Sequence, residues 1–175
     1  MKKPRKMLSD WDAPYIQSLV KLIETQSKLT LANWAIDYSE QVMLPIWYKH
    51  YPDDLRPRNA MEDARLWLKG VIKLPQAKKT ILECHAAARE SETTPAAQAA
   101  ARAIGQSAST IHSARHCIGL ALYGAVAVTY DILGVNIKKE QFQLYTEEEC
   151  SRMLKALQSV AVENEPNPAK IDWKC

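Results

Sequence analysis

The sequence predicts an all-α, single-domain bundle of six to seven helices around a mostly buried Ala/Gly-rich central helix. Three observations carry that prediction. Apolar residues recur at helical spacing, every three or four positions, in one segment after another. No segment alternates apolar and polar residues over strand length, and the Asn-Gly and Asp-Gly dipeptides of tight hairpins are absent. Of the 175 residues, 47% are hydrophobic and 25% charged, a globular balance in a chain long enough for one core without staples and lacking any solenoid-length repeat.

The first helix is expected to begin near Ser9 or Asp12, whose side chains can accept from an unpaired backbone N–H. Pro14 then falls in its first turn, and Ile16, Leu19, Val20 and Ile23 share its core face. A second stripe, Leu31, Trp34, Ala35, Tyr38 and Val42, runs up to Pro45, which removes a donor and should kink or end the helix before the apolar Ile46-Trp47-Tyr48. Residues 51–57 read as loop. Asn59 with Glu62 then resembles a capping box for a helix whose stripe is Ala60, Ala64, Trp67, Leu68 and Val71, ending near Gly70.

Beyond Pro75, Ala77, Ile81, Cys84 and Ala88 mark a fourth helix that ends in the polar run 89–93. Thr94-Pro95 opens an alanine-rich helix with Ala97, Ala100, Ile104, Ala108 and Ile111 on one face, and its small side chains let neighbours approach closely. A pause is expected around His112 to Arg115. From His116 a long apolar stretch runs to Leu133, with Gly134 as a stop. Thr146 to Glu149 reads as a capping box for the last helix, whose stripe is Cys150, Met153, Leu154 and Leu157. The organisation is therefore a basic, mobile segment over 1–8, a bundle over 9–163 and an irregular tail over 164–175 that Trp173 can dock.

Charge and cysteine usage narrow the function. The formal charge is +3, but Lys2, Lys3, Arg5 and Lys6 lie in the first segment, leaving 19 basic against 20 acidic residues from 7 onward. A folded body without net basic charge argues against a nucleic-acid partner. The N-terminus lacks the apolar run of a secretory signal, so a cytoplasmic location is expected. The apolar stretch Cys117 to Val128 is shorter than the ~20 residues of a bilayer span, which argues against a membrane role. Scattered cysteines at 84, 117, 150 and 175 without a Cys-x-x-Cys pair imply free thiols.

No catalytic motif emerges, and neither enzyme activity nor a cofactor is expected. His112 and His116, four apart, could share a helical face and ligate a metal with His85, His50 or Glu83 as a third ligand, but Ser113 stands where zinc proteases carry their general-base Glu. The competing reading has these histidines half-buried and hydrogen-bonded, fixing how two helices meet. Facing carboxylate-histidine sets for di-iron, a Gly-x-Ser-x-Gly elbow and phosphate-binding Gly loops are all absent. The candidate partner- or ligand-binding residues are His85, His112, His116, Arg56 and Arg58, the arginines either in an ion-pair network or facing a partner.

Two segments together carry a resemblance. They are Arg56-Pro57-Arg58-Asn59-Ala60 continuing to Ala64-Arg65-Leu66-Trp67 and Gly70, and Ala100 to Gln106 leading through His112 and His116 to Gly119, Leu122, Tyr123 and Gly124. This combination resembles the immunity-protein family of bacterial polymorphic toxin systems, the Imm-five-like helical group, over residues 30–135. The resemblance implies an all-α bacterial cytoplasmic protein that protects its host by binding a toxin domain, with two histidines matching His112 and His116 and no catalytic residues. A metal-dependent bundle centred on His112 and His116 is the first alternative, and a regulatory bundle with a small-molecule pocket beside the alanine-rich helix the second. A helix presenting exposed Trp or Tyr would suit a homodimer.

Overall fold

A computed structural model of the chain describes residues 4–174. Helices α1 (Pro14–Ile23), α2 (Lys28–Tyr38), α3 (Leu44–His50), α4 (Arg56–Leu68), α5 (Leu74–Glu90), α6 (Pro95–Ser109), α7 (Ile118–Leu133) and α8 (Lys139–Val160) follow in chain order, and the described residues contain no strand. A π-turn over Ser39–Met43 joins α2 to α3 without a break, so the eight segments form seven rods, in agreement with the periodicity.

Pro45 explains the π-turn. In a regular α-helix its ring would meet the carbonyl of Gln41 and its missing N–H would leave a gap in the ladder. Instead Leu44 N–H bonds Ser39 O, five residues back, and the helix widens rather than ends. The extra residue rotates the buried face. Met43, Leu44, Ile46 and Trp47 now point inward, while Val42, expected in the stripe, is only half-buried.

Helix starts depart most from the sequence reading. α1 buries the four expected residues, but Ala13 occupies its cap position, and neither Ser9 nor Asp12 supplies a capping bond. α4 begins at Arg56, three residues before Asn59. Its first turn carries Pro57, and Asp54 accepts the Arg56 backbone N–H at 3.1 Å, so Asn59 lies exposed inside the helix rather than capping it. Val71 is 65% exposed beyond Gly70, which has φ +72°, and Met61 takes a core position instead. The Thr94 hydroxyl does not cap α6; it donates to Ser91 O at 3.1 Å and pairs with Tyr51 Oη at 2.6 Å. α8 starts at Lys139, so Thr146 is a mid-helix residue whose hydroxyl donates back to Phe142 O at 2.9 Å.

The alanine-rich α6 occupies the centre. It packs against α2, α3, α4, α5 and α7 and against both irregular turns, and its contact with α7 is the most extensive of any helix pair. The expected pause between them is a 3₁₀ turn over Ala114–Cys117. The helical run Ala114–Leu133 has 20 residues and is long and apolar enough to cross a membrane, which corrects the shorter count made from 117 to 128. Two-thirds of it lies buried inside the bundle, where α6, α8 and α1 supply the apolar surroundings.

Both ends of the described chain run along the body. Leu8 is buried and its N–H bonds Leu122 O at 2.8 Å, while the Arg5 guanidinium lies over the Phe142 ring. In the tail, Val162 N–H and O both pair with the Gln26 side chain, Ala169 N–H bonds Gln26 O, and Trp173 Nε1 donates to Glu24 at 2.8 Å beside Trp11. The Lys2, Lys3 and Cys175 positions lie outside the described residues.

Candidate functional site

From Ala96 to Ile111, only Arg102 and Gln106 reach solvent. They sit four apart, on one face of α6, and open into a seam between α5 and the start of α7. Two glycines make the seam possible. At Gly105 a Cβ would come within 2.6 Å of His85 Cε1, so the His85 ring from α5 lies directly on the α6 backbone. At Gly119 a Cβ would fall 2.5 Å from Gln106 Cβ, so Gln106 presses against the α7 backbone.

The break between α6 and α7 sets the two remaining histidines. His112 follows α6 and His116 lies in the 3₁₀ turn, so the expected pause keeps them off a shared regular helical face, yet the turn brings their rings edge-on with centroids 5.3 Å apart. Gln106 Oε1 meets His116 Nδ1 at 2.8 Å. With the amide oxygen facing the ring, Nδ1 carries the proton and Nε2 is left as an acceptor. His112 Nδ1 and Arg102 Nε are buried without a hydrogen-bond partner, and the Arg102 guanidinium lies 5.9 Å from the centre of the Tyr123 ring.

Electrostatically the seam has one sign. Burial lowers the pKa of His85, and Arg89 and Arg102 lower it further; burial and then Lys78 and Lys28 do the same to His112. His116 is held down at about 4 by burial, then by His112, Arg115 and His85. Among the described residues, no carboxylate is a cause of the shift at any of the three rings. Among the described residues, Lys28, Lys78, Arg89 and Arg102 form no ion pair, which contrasts with Arg56, Arg58, Arg65 and Arg152, each bound to at least one carboxylate. Near-neutral overall charge thus conceals a local cationic surface.

The expected arginine candidates lie apart from this seam. Arg56 grips Asp54 through Nε and Nη2 and reaches Glu90 at 2.7 Å, and its pKa is raised first by Asp54 and then by Glu90. These bonds tie the loop before α4 to the end of α5. Arg58 pairs with Glu62 one helical turn on at 2.7 Å. His50 is exposed at the end of α3. Among the described residues no three His, Cys, Asp or Glu side chains converge on a metal position. The cations around all three imidazoles also oppose any further positive charge there.

Residues 21–156 match the family described as "Imm-5 like putative immunity protein". The chain belongs to that family. The matched span runs from α1 into α8 and contains every residue of the seam, while the segment before α1 and the docked tail lie outside it. No curated protein and no solved structure matches the chain.

Sequence reasoning singled out His85, His112 and His116 but not Arg102, Gln106 or Tyr123. A signal for the first two was present. In a helix otherwise made almost wholly of Ala, Gly, Ser and one Ile, three long polar side chains, Gln98, Arg102 and Gln106, recur every four residues, and Gln98 is buried with its amide donating to Ala88 O. The spacing marks the polar strip of α6, and the structure shows that its C-terminal part, Arg102 and Gln106, is what other helices leave uncovered.

Proposed function

We propose that the chain is an immunity protein that works in the bacterial cytoplasm by binding a toxin domain and blocking it, with no reaction of its own. Family membership over 21–156 carries this reading. The chemistry of the side chains supports it. A nucleophilic enzyme needs an activated Ser, Cys or Lys held by a base that a third group orients. Here Cys84, Cys117 and Cys150 are buried, with thiol pKa values raised chiefly by that burial, and among the described residues the three seam imidazoles have no carboxylate to orient them.

Calorimetric titration against the toxin encoded beside its gene tests the reading. A one-to-one complex that removes toxin activity, with rescue of growth on co-expression, is the expected result. Absence of binding to any neighbour-encoded toxin would refute it.

A further inference from the structure

We propose that the seam formed by Lys78, His85, Arg89, Arg102, His116 and Tyr123 is the surface that receives the toxin domain, and that it takes a carboxylate-bearing segment of that domain. This rests on the immunity reading and adds the surface and the chemistry of its partner. Four cations, Lys28, Lys78, Arg89 and Arg102, act on the seam imidazoles and have no acidic partner among the described residues, whereas Arg56, Arg58 and Arg65 each hold a carboxylate. Together the four hold a positive potential over the three imidazoles, and a carboxylate placed there is attracted by it.

The apolar content of the seam fits a protein rather than a free ion. Lys78, Leu82, His85 and Arg89 recur at helical spacing on α5, and Leu82 is 66% exposed between the cations. Arg and Tyr, the residue types of Arg102 and Tyr123, dominate binding energy at protein interfaces. A polyanion such as RNA fits less well, because residues 7 onward carry 19 basic against 20 acidic side chains and the surface beyond the seam would repel an extended phosphate chain. A short acidic stretch on a folded partner needs only the local field.

The two glycines keep this surface open. With Gly105 the His85 ring can press against the α6 backbone, and with Gly119 the Gln106 side chain holds His116 in place. His116 then presents Nε2 as an acceptor beside the cations, suited to a hydroxyl or amide N–H that accompanies the carboxylate.

The test measures Kd and association rate for the neighbour-encoded toxin with wild type, Arg102→Gln, the exposed double variant Lys78→Glu/Arg89→Glu, and Lys155→Glu on α8 as an off-site control. R102Q should weaken binding about tenfold or more, and the double reversal should slow association about tenfold and flatten its salt dependence, with the control unchanged. Circular dichroism checks the fold, and the double variant decides the matter if R102Q does not fold. Binding by the double variant within about twofold of wild type, or an equal loss in K155E, overturns this surface and leaves the immunity reading intact. No binding by wild type overturns both. Wild-type binding to a labelled single-stranded RNA that the double reversal abolishes, with toxin affinity unaffected, would assign the seam to nucleic acid and overturn the proposal.

Discussion

Replacing Gly119 with alanine probes the closest approach in the fold. The added Cβ would sit 2.5 Å from Gln106 Cβ, 2.6 Å from its Cγ and 3.2 Å from its Cδ. Carbon atoms pack at about 3.5–4.0 Å, so the shortfall is about 1 Å. Because Gln106 Cβ is fixed by the α6 backbone, no rotamer relieves the clash, and α6 and α7 must separate or slide along their whole interface. Such overpacking costs about 1–3 kcal/mol, and the better helix propensity of alanine returns at most about 1 kcal/mol. A net loss of about 1–2 kcal/mol corresponds to a Tm lower by about 2–8 °C for a chain of this size. The same shift pulls Gln106 from His116. Gly105→Ala is the matched comparison, since there the obstacle is the ring end of half-buried His85, which can swing toward solvent, and stability should change less. Urea unfolding followed by tryptophan fluorescence measures both. If Gly119→Ala is as stable as wild type, the helix spacing does not depend on this glycine and the account of the seam is wrong.

Three further outcomes follow from buried polar groups. Tyr38→Phe removes the hydroxyl that donates to Glu149 at 2.6 Å, and since Glu149 is only 2% exposed the loss should reach about 1.5–3 kcal/mol in urea unfolding; an unchanged midpoint would contradict the bond. Acid stability should turn on the histidines. The unfolded chain protonates His116 near the ordinary value of about 6.5, while the folded chain resists until about 4, so stability is full above that window and declines as pH falls through it. His85 and His112, also lowered, act in the same direction, and His116→Asn should flatten the dependence of the urea midpoint on pH; an identical profile in the variant would count against it. Last, the Cys150 thiol is pushed up to about 12, chiefly by burial, and Cys84 and Cys117 are raised by the same cause. All three should resist a thiol reagent until the protein unfolds, and mass spectrometry showing native modification at any of them would refute their placement.

Helix identity was legible in the sequence because each rod buries one face, and Ile16, Leu19, Val20 and Ile23 fall where spacing alone places them. Boundaries were not, for a physical reason. Asn59 and Thr146 look like caps, yet Asp54 satisfies the start of α4 from outside the helix, and Thr146 turns its hydroxyl onto its own helix backbone. The phase change at the π-turn was hidden because Pro45 announces a disturbance without saying whether the helix breaks or widens. At the seam, the histidines were visible as residue types. Their convergence with Arg102 and Tyr123 depends on which strip of α6 remains uncovered, and that is decided by five neighbouring helices rather than by local spacing.

The central position of α6 also governs how the molecule breathes. A helix enclosed by five others and made of side chains with little rotational freedom has no private way to open, since exposing any of its turns means parting several interfaces together. Its amide protons between Ala97 and Ala108 can therefore exchange with deuterium only when the entire chain unravels. Those past Ala161, held by Gln26 and by the docking of Trp173 beside Trp11 and Glu24, can trade places with solvent through a local release that leaves the rods intact.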